Sequence, residues 1–110
     1  MPVDIIERFE QMLAKGQDNA MLRFSLGNAY FAAKEFGKAA THLDAAVRHD
    51  ANYSVAWKLL GRSYSALGES EKALATYQQG LAVAQAKGDM QVVKELEVFM
   101  RREQKNLTKE

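Results

Sequence analysis

Residues 57–64 read Trp57-Lys58-Leu59-Leu60-Gly61-Arg62-Ser63-Tyr64, and residues 23–30 read Arg23-Phe24-Ser25-Leu26-Gly27-Asn28-Ala29-Tyr30. The two stretches stand 34 residues apart. At that offset Leu26 meets Leu60, Gly27 meets Gly61 and Tyr30 meets Tyr64. Ala32, Glu35, Lys38 and Ala39 then meet Ala66, Glu69, Lys72 and Ala73. Seven of the fourteen positions from 26 to 39 are identical, where ordinary residue frequencies give about one. An internal period of this length points to a stacked supersecondary unit.

The residues around the repeat are helix formers. Ala, Leu, Lys, Glu and Gln are abundant, and proline is absent after Pro2. Ile5, Ile6, Phe9, Met12 and Leu13 fall on one helical face, and Gly16 is placed to end that helix. Asp18 or Asn19 can cap the next helix, whose stripe is Leu22, Leu26, Ala29, Tyr30 and Ala33. Phe36 to Val47 supply a third stripe and Val55 to Leu67 a fourth, stopped at Gly68. Ala73 to Ala84 supply a fifth, running towards Gly88. Val92, Val93, Leu96, Phe99 and Met100 supply a sixth, with Asp89 as its cap. No alternating strand pattern lies outside these segments. Glycine within a helix costs about 1 kcal/mol against alanine. Gly27 and Gly61 at one repeat position therefore predict close helix crossings, with Ala39 and Ala73 opposite. Trp57, Tyr30 and Tyr64 are expected to fill the wedges between neighbours.

The second copy, Trp57-x-x-Leu60-Gly61-x-x-Tyr64 followed by Ala73-x-x-x-Tyr77, resembles the tetratricopeptide repeat (TPR), a helix–turn–helix unit of 34 residues. The resemblance is strong over about residues 20–87. It implies an all-α fold, a right-handed α-α superhelix of antiparallel helix pairs with about six helices. The expected organisation is a single domain over 1–110. It comprises an N-terminal half-repeat helix (2–16), repeat 1 (20–53), repeat 2 (54–87) and a capping helix (89–106). The first helix matches the second half of a repeat, since Ile5, Phe9 and Met12 stand 34 before Ala39, Leu43 and Ala46. Three departures stand out. Arg23 occupies the place of Trp57, and Ala51 and Gln85 stand where the family usually carries proline.

The first helix of each TPR unit lines a concave groove. One residue round from the core stripe of the fourth helix run Lys58, Arg62 and Ser65. The equivalent stripe on the second helix is Phe24, Asn28 and Phe31, with Met21 and Val55 at the helix starts. These eight residues are the candidate peptide-binding set. Lys58 and Arg62 are like charges one turn apart, with Ser54 and Ala66 as their neighbours on the same helix. A ligand carboxylate would relieve them, as would Asp89 or Glu95 of the last helix. Phe24, Phe31 and Met21 could equally pack under the first helix. Some TPR domains hold a chaperone C-terminal carboxylate in a clamp of Lys, Asn and Arg. Asn28 matches one clamp position. Phe24, Leu59, Asp89 and Val93 do not match the others, so no chaperone-tail co-receptor is expected.

Composition narrows the remaining classes. The chain has no Cys, a net charge of +1 and 110 residues, which excludes a disulfide framework and a thiolate metal site. His42 and His49 stand two helical turns apart, too far to share a metal, and are read as solvated surface residues. Gly61-Arg62-Ser63-Tyr64-Ser65 lacks the last glycine and the preceding strand of a nucleophile elbow. Gly37-Lys38 lacks the rest of a phosphate-binding loop. No enzyme activity, cofactor or metal is expected. Interspersed charges without an aromatic-basic platform argue against nucleic acid. No apolar run approaches the length of a membrane span, and no secretion signal precedes the first helix, so a cytoplasmic location is expected. The sequons at Asn52 and Asn106 are read as chance.

The expected role is a non-catalytic adaptor that binds a segment of a partner protein in its concave groove, the partner being acidic where it meets Lys58 and Arg62. The alternative is homo-oligomerisation, as a homodimer or an assembly subunit, through an apolar N-terminal face carrying Met21 and Phe24.

Overall fold

The computed structural model describes residues 2–108, with side chains from 5 to 108. Six helices follow one another: α1 (Pro2–Ala14), α2 (Ala20–Ala32), α3 (Phe36–His49), α4 (Ser54–Ala66), α5 (Ser70–Lys87) and α6 (Met90–Thr108). No strand occurs among the described residues. Short turns fold neighbours back on each other, so α2 packs on α3, α4 on α5 and α5 on α6, while α3 and α4 join the two pairs. The joint between α1 and α2 is the thinnest of those between consecutive helices.

Four turns share one mechanism. The chain leaves α1 through Gly16 at φ +93°, with the Gln17 N–H donating to the Met12 carbonyl at 3.1 Å. Gly68 and Gly88 repeat this after α4 and α5, where Glu69 and Asp89 N–H groups reach Tyr64 and Ala84. Such a left-handed residue satisfies the last helical carbonyls. After α2 the position is held by Lys34 at φ 62°, the one non-glycine residue of positive φ among those described. Its repeat mate is Gly68, so repeat 1 carries strain that repeat 2 avoids. Asn19 caps α2, its side chain accepting the Leu22 N–H at 2.8 Å. The α5 helix runs on past Gln85 to Lys87.

The glycines act as expected of a crossing. A Cβ on Gly27 would overlap the Leu43 side chain, and one on Gly61 would overlap the Tyr77 ring. A third close approach is at Gly80, where a Cβ would stand 2.8 Å from the Cβ of Trp57. Trp57 also donates its indole N–H to the Ala51 carbonyl at 2.8 Å, tying the turn before α4 to its second helical turn. Leu26, Leu43, Leu60, Tyr77 and Leu96 are fully buried in these crossings. Burying a side chain of this size contributes about 1.5–3 kcal/mol.

Arg23 replaces the packing role of its mate Trp57 with a polar network. It donates twice to Asp18, at 2.8 and 3.0 Å, and its guanidinium stands 3.1 Å from Nδ1 of His42. The Arg23 hydrogen bond holds the Asp18 carboxyl down to about 2. His42 is buried rather than solvated, which corrects the surface reading. It stacks on Tyr30 at 5.5 Å, and its Nε2 lies 3.7 Å from Glu10. Burial pushes the His42 pKa below the ordinary imidazole value, with Arg23 acting in the same direction and Glu10 and Asp18 opposing. Tyr30 donates to Glu10, which raises its phenol to about 12. Glu10 thereby links α1 to α2 and α3. His49 is exposed, with Nε2 at 2.9 Å from Asp18.

Candidate protein-interaction groove

Three helices, α2, α4 and α6, present corresponding positions. Phe31, Ser65 and Phe99 recur at intervals of 34, as do Asn28, Arg62 and Leu96. Two hollows open along this face. The first, about 550 Å³, lies between α1 and α2 and is lined by Ile5, Phe9, Phe24, Ser25, Asn28, Ala29 and Ala32. The second, about 300 Å³, lies between the ends of α2 and α4 and the later turns of α6. Its lining includes Phe31, Phe36, Arg62, Ser65, Tyr77 and Phe99, together with Arg102, Glu103 and Asn106.

The first hollow is apolar. Phe24 is half-buried, leaning on Tyr53 with ring centroids 5.0 Å apart, and Asn28 is exposed on its rim. Met21, at the start of α2, is 73% exposed and lines neither hollow.

The second hollow is aromatic and charged. The Arg62 guanidinium sits 4.9 Å from the Phe31 ring centroid and 5.3 Å from that of Phe99. Stacking on rings leaves the in-plane N–H edge of a guanidinium available to a planar anion. Among the described residues Arg62 and Arg102 form no ion pair. Phe31 meets Phe36 edge-on at 5.1 Å, and Phe99 stacks on Tyr77 at 5.7 Å. The buried Glu103 carboxylate accepts from the Asn106 side chain at 3.4 Å. Burial, reinforced by Glu103, raises the Tyr77 phenol to about 12.

Lys58 stands apart from Arg62 in its chemistry. Its ammonium donates to Glu95 of α6 at 2.7 Å, and this hydrogen bond draws the Glu95 carboxyl below its ordinary value. Val55 is half-buried against the core of α5 and α6. The eight sequence-derived residues thus divide. Phe24 and Asn28 share the first hollow, and Phe31, Arg62 and Ser65 share the second. Lys58 and Val55 are engaged by neighbours, and Met21 projects outward. Sequence reasoning missed Phe36, Arg102 and Asn106. Phe99 had a visible signal, being two periods after Phe31. Among the described residues no group of three or more His, Asp or Glu could hold a metal, and no helix is long and apolar enough to cross a membrane.

A family model described as tetratricopeptide repeat matches residues 2–62 and again 31–92. The chain belongs to the tetratricopeptide repeat family. A TPR repeat-containing protein of Pseudomonas aeruginosa is 48% identical over 98 residues, covering 89% of this chain and 93% of that protein. The solution structure of a protein from Bordetella parapertussis is 49% identical, with a TM-score of 0.80, over 93% of this chain and 89% of the other. A TPR2B domain of yeast Sti1, solved in complex with pHsp70, shares the fold with a TM-score of 0.84 at 15% identity, over 92% and 81% of the two chains. The TPR architecture of six helices follows from both the repeat and these likenesses.

Proposed function

We propose that this TPR chain is a non-catalytic protein-interaction module whose groove holds an extended segment of a partner protein. The observation that carries the reading is Arg62, which lies over Phe31 and Phe99 and forms no ion pair among the described residues, with Glu103 buried elsewhere in the lining of the same hollow. A carboxylate of the partner would lie against that guanidinium edge. Phe31 and Phe36 would take an adjoining apolar side chain, and Ser65 a backbone group. The Sti1 domain, a structural neighbour in complex with pHsp70, supports a binding role in kind without naming a partner. Because Lys58 already meets Glu95, Arg62 carries the acidic preference.

The test is a titration of fluorescent acidic peptides into the wild-type chain and an Arg62→Glu variant. Binding should weaken about tenfold or more in the variant, as expected when a charge-assisted contact becomes a repulsion, and should weaken with added salt. Undiminished binding to Arg62→Glu would remove the role given to this residue.

A further inference from the structure

The interior of the stack shows how its N-terminal hollow is built to be filled. Phe9, Leu43 and Tyr77 stand 34 residues apart on α1, α3 and α5. Leu43 lies over Gly27 of the helix before it, and Tyr77 lies over Gly61 in the same way. Each glycine is flanked by a leucine one residue earlier and a tyrosine three residues later. Ile5 precedes this register as Ala39 and Ala73 do. Those alanines are 0% exposed, whereas Ile5 is 46% exposed, and Phe9 lines an open hollow. Among the described residues no helix lies over Phe9 as α2 lies over Leu43.

We propose that this hollow receives an amphipathic helix from a partner protein. That helix would place a glycine over Phe9, a large apolar residue one position before it and an aromatic residue three after it. This goes beyond the Arg62 reading and rests on a different end of the molecule. Two occupants drawn from a second copy fail on the same geometry. The first is α6, whose residues at the Leu-Gly-x-x-Tyr positions are Lys94, Glu95 and Val98. Glu95 is bonded to Lys58, and its side chain is far larger than the hydrogen the register requires. The second is α1 itself, which has no glycine between positions 2 and 13 to accommodate a facing Phe9. The rim of the hollow is Ser25 and Asn28, uncharged groups, so docking here should not depend on salt.

The probe is a peptide of residues 54–69 of this chain, which carries the required Leu60-Gly61-x-x-Tyr64. In ¹⁵N spectra of the full chain it should perturb Ile5, Phe9 and Ala29 saturably and leave Arg102 and Asn106 unmoved. Phe9→Asp in the chain, or Gly61→Phe in the peptide, should weaken binding about tenfold or more, while Arg62→Glu in the chain should not. Because a free peptide of this length is only marginally helical, the same segment is also joined directly ahead of Pro2, preserving the 34-residue register. The joined helix should raise the melting temperature, and Gly61→Phe within it should abolish the gain. Failure of both the peptide and the joined helix overturns the proposal. So does a concentration-dependent dimer of the unmodified chain, by light scattering, that Phe9→Asp dissociates.

Discussion

The two ends of this helical stack are finished differently. At the C-terminal end, α6 covers α5 with Val92, Val93 and Leu96, all buried. It turns Gln91, Lys94, Glu97, Arg101 and Gln104 to solvent. At the N-terminal end α1 covers α2 thinly, with Ile5 exposed and Phe9, Met12 and Leu13 only half-buried. Helix–helix burial does the holding at one end, while at the other a polar network built on Glu10, Tyr30, His42, Arg23 and Asp18 shares the task. A terminal helix in a repeat array needs a polar outer face to be a cap. Both ends carry polar exposed residues, Glu7, Arg8 and Gln11 on α1 and those named on α6, with Ile5 exposed on the one and Met90 and Val98 on the other; what separates them is depth, since α6 buries Val92, Val93 and Leu96 while no described residue of α1 is fully buried.

Truncation should show the contrast most strongly. Leu96→Ala, at a fully buried site, should cost about 2–5 kcal/mol. Phe9→Ala should cost less, about 1–2 kcal/mol, since its ring is only partly buried. Equal losses in chemical denaturation would break the comparison. At the crossings, Gly61→Ala should cost about 1–3 kcal/mol by overpacking. Gly27→Ala should cost a similar amount, because the Leu43 side chain it meets is as fully buried as the Tyr77 ring.

Acid sharpens the contrast further. His42 titrates below its ordinary value in the fold, so its neutral form is favoured there. The stability this gives is present above the ordinary pKa and is lost as pH falls below it. Asp18 is held down to about 2, so its contribution is present above the ordinary carboxylate value and disappears as pH falls towards 2. Both effects loosen the N-terminal end on acidification. Amide exchange of α1 should therefore accelerate relative to α6 once intrinsic rates are corrected for pH. His42→Thr, which copies the repeat mate Thr76, should reduce the part that begins near neutral pH. The smallest effect is at the turn after α2. Lys34→Gly removes a left-handed strain and adds chain entropy to the unfolded state, a net gain of about 0.5 kcal/mol, read as a small rise in melting temperature.

Helical apolar spacing and helix-ending glycines made the helices and the stops at Gly16, Gly68 and Gly88 legible, and the 34-residue offset made the crossings at Gly27 and Gly61 legible. His42 precedes Leu43 as Thr76 precedes Tyr77, and the structure buries both, but neither residue type signals an interior position in the sequence. Lys34 aligns with Gly68, which marks its backbone as left-handed. Arg102 and Asn106 carried no such signal. The α6 helix continues straight through the positions where the repeat makes its turn, so nothing earlier in the chain is their counterpart. The pairing of Lys58 with Glu95 was one of the alternatives visible in the residue pattern, but choosing it requires the distance between α4 and α6.

Trp57 has a practical consequence. It is the sole tryptophan, and it lies mid-stack, packed on Gly80 and bonded to Ala51. Its fluorescence reports the centre of the molecule, on the side joined to α5 and α6 rather than to α1. Partial melting of α1 would lower the helical circular dichroism while leaving the emission unchanged, so a gap between the two melting curves would measure how independently the open end comes apart.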